Sequence, residues 1–510
     1  MKLNYKRTIL VGFAFFLISA FWQAYDAIVP LMLTNHYGLP QTASGVVMSI
    51  DNVLAVFMLP IFGALSDKVS TKFGKRTPFI VLGTVAAIIT FITLTFVDGI
   101  QLGALIDAGI PERFEAARDI VTMATEELNR ATASGDAAWI ALAESALGSA
   151  EADFAAVKAA LQAEALDITL ANIWPLVGFM GMLLLVLISM ATFRSPAVAL
   201  MPDVTVKPLR SKGNAIINLM GTAGGILVLV LGMIFATSKN IYMQYSWYVV
   251  AVTAIMLTGL IVFILTVKER AWAGEMQEET ERLGLEEAVM DESGEKRGLS
   301  KAELKSLLLI LASVALWYIG YNSITSKYSV YATNVLGFDF NFTLIVAQAA
   351  AVVAYIPVGI VASKFGRRKT ILAGITMLAT AFLIGNFINP TTPPFVMYPV
   401  FALAGIGWAT INVNSFPMVV ELARGGEVGK YTGYYYTASM AAQIVAPILS
   451  GALYDLADFV NPGQGMRIMF FAFGTVFVAL SFVTMFFVKH GDAKAEVRGA
   501  LESLGGAEDD

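Results

Sequence analysis

Apolar residues fill most of the chain in blocks of about 20 or more, the length an α-helix needs to cross a bilayer core. Short polar connections separate them. The first six blocks cover roughly 8–34, 43–66, 77–97, 173–201, 213–237 and 245–267. The next six cover roughly 304–333, 341–363, 369–388, 394–420, 431–456 and 466–488. The pattern predicts an all-α membrane protein of twelve transmembrane helices. Two polar stretches interrupt it. Residues 268–303 are highly charged and read as a solvated linker dividing six helices from six. Residues 99–172 are Ala-rich and acidic. They predict a helix from Pro111 to about Ser134 and another from Asp136 to about Asp167, around Gly135, with Pro111 suited to a first helical turn. The organisation is an N-terminal half (1–267) carrying this hairpin, the linker, a C-terminal half (304–490) and a tail (491–510).

Basic residues give the pattern a direction. The 2–3 connection holds Lys68, Lys72, Lys75 and Arg76, and the 4–5 connection holds Lys207, Arg210 and Lys212. Lys364, Arg367, Arg368 and Lys369 lie between helices 8 and 9, and Lys489 and Lys494 follow helix 12. Cytoplasmic loops carry such an excess, so both termini are expected in the cytoplasm of a cell (inner or plasma) membrane and the hairpin outside. An even number of spans also requires both termini on one side. The apolar run after Lys6 and Arg7 is too long for a signal-peptide core and reads as helix 1.

Composition narrows the chemistry. Only 14% of residues are charged, against roughly 25% in soluble domains. There is no Cys, which excludes disulfides, thiolate metal sites and Cys nucleophiles, and the two His, His36 and His490, fall near predicted helix ends. No P-loop or nucleophile constellation is present. The chain is therefore expected to be neither an enzyme nor an ATP-driven pump, to need no metal or cofactor, to bind no nucleic acid and to work as a monomer in the lipid bilayer.

A repeat links the halves. Lys72-Phe73-Gly74-Lys75-Arg76 after helix 2 recurs as Lys364-Phe365-Gly366-Arg367-Arg368 after helix 8. Half-chain repeats mark many transporter folds. Gly63 permits close helix approach, Gly74 and Gly366 a tight reversal, and Asp67 is placed to accept from a facing helix N-terminus. Gly63, Asp67, Lys72, Gly74, Arg76, Gly366, Arg367 and Arg368 are the candidate conformational latch.

This loop resembles the signature of the major facilitator superfamily. More narrowly, Gly63-x-x-Ser66-Asp67-Lys68 with Lys72 to Ile80 resembles the proton-coupled sucrose transporters, and part of it the glycoside–pentoside–hexuronide cation symporters. Ser195-Pro196 through Pro202-Asp203-Val204, and Asn414-Ser415-Phe416-Pro417 with Gly433 and Gln443, extend the likeness. The resemblance implies a two-half fold and proton-coupled symport of a sugar, a disaccharide or glycoside. The sequence departs from the sucrose branch in helix 4, where Leu187 replaces an Asp and Val198 an Arg. Arg194, one turn before Val198, stands on the same helical face. Leu59 replaces the Asp that the glycoside symporters place before the helix 2 Pro.

Ionisable residues within spans are costly and functional by default. Asp26 in helix 1 and Asp51 in helix 2 stand at similar depths, roughly 28 and 24 Å from the cytoplasmic face at about 1.5 Å per residue. A proton or cation shared between them would replace the missing helix 4 Asp. Arg194 stands only roughly 13 Å up, which argues against a static pair with Asp26. A sugar needs hydroxyl partners and a flat face. Trp22, Gln23 and Tyr25 (helix 1), Asn214 and Asn218 (helix 5), Tyr318 and Asn322 (helix 7), Gln348 (helix 8), Trp408 and Asn412 (helix 10) and Gln443 (helix 11) are the candidates. A sugar uniporter, an exporter of amphipathic compounds and a membrane sensor are the alternative readings.

Overall fold

A computed structural model of the chain describes residues 3–206, 209–282, 300–422 and 428–490. The tail 491–510, linker residues 283–299 and Lys207 lie outside them. The described residues are helical, with an isolated Thr71–Gly74 bridge and no strand. Eleven helices among them are long and apolar enough to cross a membrane. In the first half these are α1 (Tyr5–His36), α2 (Gln41–Lys68), α3 (Thr77–Asp107), α4 (Trp174–Asp203), α5 (Arg210–Ile234) and α6 (Ser246–Thr266). In the second they are α7 (Lys301–Thr325), α9 (Arg367–Gly385), α10 (Met397–Val420), α11 (Val428–Val460) and α12 (Gly465–Phe486). Between α7 and α9 runs α8 (Phe340–Phe365), which counts as an apolar helix over Phe340–Tyr355.

Two predicted spans differ in the structure. Helix 3 continues ten residues past its predicted end, to Asp107, and leads into the hairpin helices Ile110–Ser134 and Ala137–Ala171. Asp98 and Gln101, polar by themselves, are buried because they bond His36: its Nδ1 lies 2.9 Å from Asp98, its backbone oxygen 3.0 Å from Gln101. Helix 7 breaks after Thr325 and resumes as a short helix, Tyr328–Tyr331. Side chains compete there with the helix ladder: Asn322 donates to Tyr318 O, Thr325 to Tyr321 O and Ser326 to Asn322 O.

Within the first half α3 packs on α4, and α1 on α5 and α6; within the second α10 packs on α8 and α9, and α7 on α11 and α12. The halves meet where α2 faces α11 and α5 faces α8. At one end of the bundle stands the hairpin. At the other lie the linker helix, Glu269–Arg282, and the N-terminus, joined by an Arg7–Glu275 ion pair.

The halves are drawn together at the hairpin end. A Cβ on Gly45 of α2 would fall 2.1 Å from Pro447 O of α11, and one on Gly451 2.4 Å from Gln41 O, so the backbones touch. The Asp455 carboxylate of α11 accepts from Gln41 N at 2.8 Å, Thr42 N at 2.7 Å and Thr42 Oγ1 at 2.5 Å. It thereby caps the N-terminus of α2 from the opposite half. Buried Lys327 donates to Gln41 O at 3.3 Å, and Asn35 and Asn334 exchange amide hydrogen bonds across the same seam.

Candidate functional site

A cavity of about 860 Å³ lies between the halves. It runs from Ser329 near the hairpin end to Pro202 near the linker end, within the size range of small-molecule sites. Trp22, Gln23, Asp26 and Arg194 line it from the first half, and Tyr318, Asn322, Gln348, Trp408, Asn412 and Gln443 from the second. Gln348 Nε2 donates to Gln23 Oε1 at 2.6 Å, a direct polar link of the two walls. α5 leaves room for this pair at Gly225, where a Cβ would touch both glutamine oxygens at 3.4 and 3.6 Å. Trp22 and Gln348 line the cavity, and Trp22 Nε1 and Gln348 Oε1 are buried without a hydrogen-bond partner among the described residues.

Three candidates stand elsewhere. Tyr25 is fully buried against Phe21 and Trp22. Asn214 and Asn218 are buried in α5 and do not line the cavity. The residue-four spacing that nominated them puts them on one helix face, but that face packs inward. Sequence reasoning missed Asn52, Thr222, Tyr436 and Ser439, which do line it, as does Tyr321 of helix 7. Tyr321 stacks with Trp408 at 6.0 Å between ring centroids, making the aromatic wall that neither residue forms alone.

Asp26 faces the cavity while Asp51 stands beside it, accepting from Asn52 Nδ2 at 2.8 Å. The two carboxylates are within electrostatic reach of one another, and Tyr25 is within reach of both. Arg194 is within reach of Asp51, and its guanidinium lies over the Trp22 ring at 5.7 Å. Ser329 Oγ donates to Asp26 O at 3.3 Å, so the acid-bearing turn of α1 touches the segment beyond the α7 break.

Comparison with solved structures gives the architecture. A D-xylose-proton symporter matches with a TM-score of 0.58 at 13% identity, over 97% of this chain and 100% of that one. The xylose transporter XylE from E. coli, in an inward open conformation, matches at 0.60 and 12% identity, over 98% and 99%. A mutant of the nucleoside transporter NupG matches at 0.52 and 14%, over 94% and 99%. The chain has the major facilitator fold. Two family profiles agree, one described as MFS/sugar transport protein over residues 10–105 and one as Major Facilitator Superfamily over residues 340–504. The MFS-type transporter ppzB of Metarhizium rileyi is 28% identical over 106 residues, 21% of this chain and 21% of that protein's length. The names of these proteins are those of transporters and a symporter.

Within this fold the repeated loops tie each half to itself. Arg76, 5% exposed, donates to Asp203 at 2.8 Å, to Asp67 at 2.5 Å and to Ser66. Lys75 adds a 3.3 Å pair with Asp203. A Cβ at Gly63 would lie 2.9 Å from Ser195 Oγ, so α2 and α4 do approach closely. In the second half Arg367 pairs with Glu421, while Arg368 donates to the carbonyls of Met485 and Phe486. Gly74 and Gly366 take φ values of +121° and +89°, which favour glycine. Lys72 lies over Phe73 at 5.0 Å.

Asp67 does not receive a facing helix N-terminus; it accepts from the Arg76 side chain instead. The N-terminus of α3 is capped by Glu269, 2% exposed, the first residue of the linker helix. Its carboxylate accepts from Lys75 N, Arg76 N, Thr77 N and Thr77 Oγ1 at 2.7–2.8 Å. Glu269 escaped sequence reasoning because it sits in a run of charges that reads as solvated.

Proposed function

We propose that the chain is a proton-coupled sugar symporter of alternating access, moving a disaccharide or glycoside. The observation that carries it is the cavity between the halves. Amide and aromatic groups from both walls converge there on a cavity-facing carboxylate, Asp26, and a guanidinium, Arg194. Such a lining offers hydroxyl partners and a stacking surface. Its balance of one acid and one base among the described residues favours a neutral solute over a phosphate ester. The 10–105 match to a sugar transport family and the sucrose-like loop support the same substrate class. Asp26 is the proposed proton carrier. Asp51 and Arg194 set its charge environment, and the Ser329 contact passes its state to the hairpin end.

In this reading residues 1–267 and 304–490 are the moving bodies, and the linker and both termini are cytoplasmic. The structure then represents an inward-facing state, its extracytoplasmic end shut. The protein acts as a monomer in a cell (inner or plasma) membrane. The test is reconstitution in liposomes with a radiolabelled disaccharide and an internal pH dye. Solute uptake with proton entry is expected, and Asp26→Asn should abolish uphill uptake while leaving exchange. Uptake without proton movement would refute coupling and leave a uniporter. Efflux of hydrophobic dyes with no sugar flux would leave an exporter.

A further inference from the structure

The hairpin grows from the first half and is rooted there. Phe114, Leu161 and Ala165 pack with Leu105 and Tyr242 in an apolar cluster of their own, and Gln162 and Thr169 donate to the carbonyls of Leu39 and Tyr37. Its second helix also reaches the other half. Glu151, Ala155 and Lys158 follow one another by four and three residues, which places them on one stripe. All three meet the second half. Glu151 lies 3.6 Å from Arg467 at the start of α12. Ala155 abuts Gly463, where φ is +75° and a Cβ would fall 2.8 Å from Ala155 O. Lys158 Nζ donates at 2.7 Å to Asn334 O, on the same residue whose amide pairs with Asn35 of α1.

We propose that the hairpin is a gating strap: rooted in the first half, it docks on the second through Glu151, Ala155 and Lys158, and it must release whenever the hairpin end opens. The inference rests on the alternating-access reading above. Its geometry follows from the seam. The stripe lands on Asn334 and on the α11–α12 connection, and these belong to the same half as Asp455 and Lys327. Any motion that takes Asp455 away from the N-terminus of α2 carries the strap's landing site away from its root. The docking contacts are few, polar and glycine-permitted, so they can be made and broken, and the charged one weakens with salt.

The chain has no Cys, so introduced pairs label uniquely. One pair, Val46→Cys with Phe459→Cys, reports the separation of the halves. A second, Ala152→Cys with Asn461→Cys, reports the separation of the strap from the second half. Spin-label distances are measured on the full chain in liposomes, at symmetric pH and under a pH gradient. Both pairs should show a longer-distance population of equal size. Glu151→Arg should enlarge it in both by up to about fivefold, the range of a surface ion pair. A long population in the first pair with a single short distance in the second would overturn the strap while leaving alternating access intact. No separation in the first pair under any condition would overturn alternating access, and the strap with it. As a second arm, Glu151→Cys and Arg467→Cys are joined by a short bismaleimide. Transport should stop when they are joined and persist in the unjoined variant. Undiminished transport after joining overturns the proposal.

Discussion

Glu269 shows how one carboxylate can hold several elements. It is buried at the junction of α6's exit, the repeat loop and the first turn of α3, and it accepts three backbone N–H groups and a hydroxyl. Replacing it with Ala would leave buried donors unpaired, a cost of about 1–3 kcal/mol for each group so stranded. Glu269→Ala should therefore lower the thermal midpoint in detergent, and Glu269→Gln should recover part of the loss, since an amide oxygen still accepts. Gly74→Ala should lower it as well, because its Cβ would lie 2.2 Å from the Glu269 carboxyl carbon at a φ of +121°. Nothing local marks Glu269 as different from its neighbours. Asp26 was legible because a carboxylate in an apolar block is costly wherever its neighbours are, whereas Glu269 depends on donors 192 to 194 residues away.

At the scale of elements, two contacts of different kinds govern the hairpin end. Asp455 holds the N-terminus of α2 across the seam, and losing a cap costs about 0.5–2 kcal/mol. Asp455→Ala should shift the equilibrium towards an open hairpin end several-fold, read from the Val46–Phe459 distance. The strap carries a pH dependence. Burial lowers the pKa of Lys158 to about 8, with Asp458 opposing the shift. Undocked, the lysine takes its ordinary value near 10.4. The undocked strap thus binds the proton more tightly, so docking gains as pH rises from about 8 to about 10.4, and Lys158 adds no pH dependence below about 8. Distance measurements from about pH 7 to about pH 11, spanning that window, should show the Ala152–Asn461 pair shortening, and Lys158→Met should flatten the profile.

For the whole molecule, the seam between α2 and α11 is set by two glycines. Gly45→Leu and Gly451→Leu each place side-chain atoms where backbone now stands, 2.1 and 2.4 Å from the facing carbonyl oxygens. Neither helix can give way without moving its half. Both variants should prop the hairpin end open, raising labelling of an Asn35→Cys probe by an impermeant thiol reagent added from that side. Unchanged labelling with intact folding would show that the seam closes elsewhere.

The sequence by itself determined most of the helical spans, the two-half repeat and the acids within the spans, because lipid imposes length, hydropathy and charge costs that act residue by residue. Most of the residues it nominated for the solute line the cavity, for the same reason: an amide or indole in a span needs a polar neighbour. The tertiary structure alone decided which nominees face the cavity. Asn214 and Asn218 turned inward while Tyr321 and Asn52 turned to it, since side-chain direction follows helix rotation, which packing sets. It alone also brought Arg194 within electrostatic reach of Asp51 and gave Asp455, Glu269 and the hairpin stripe their partners, because each of those interactions joins segments that are distant along the chain and close only after the helices have packed.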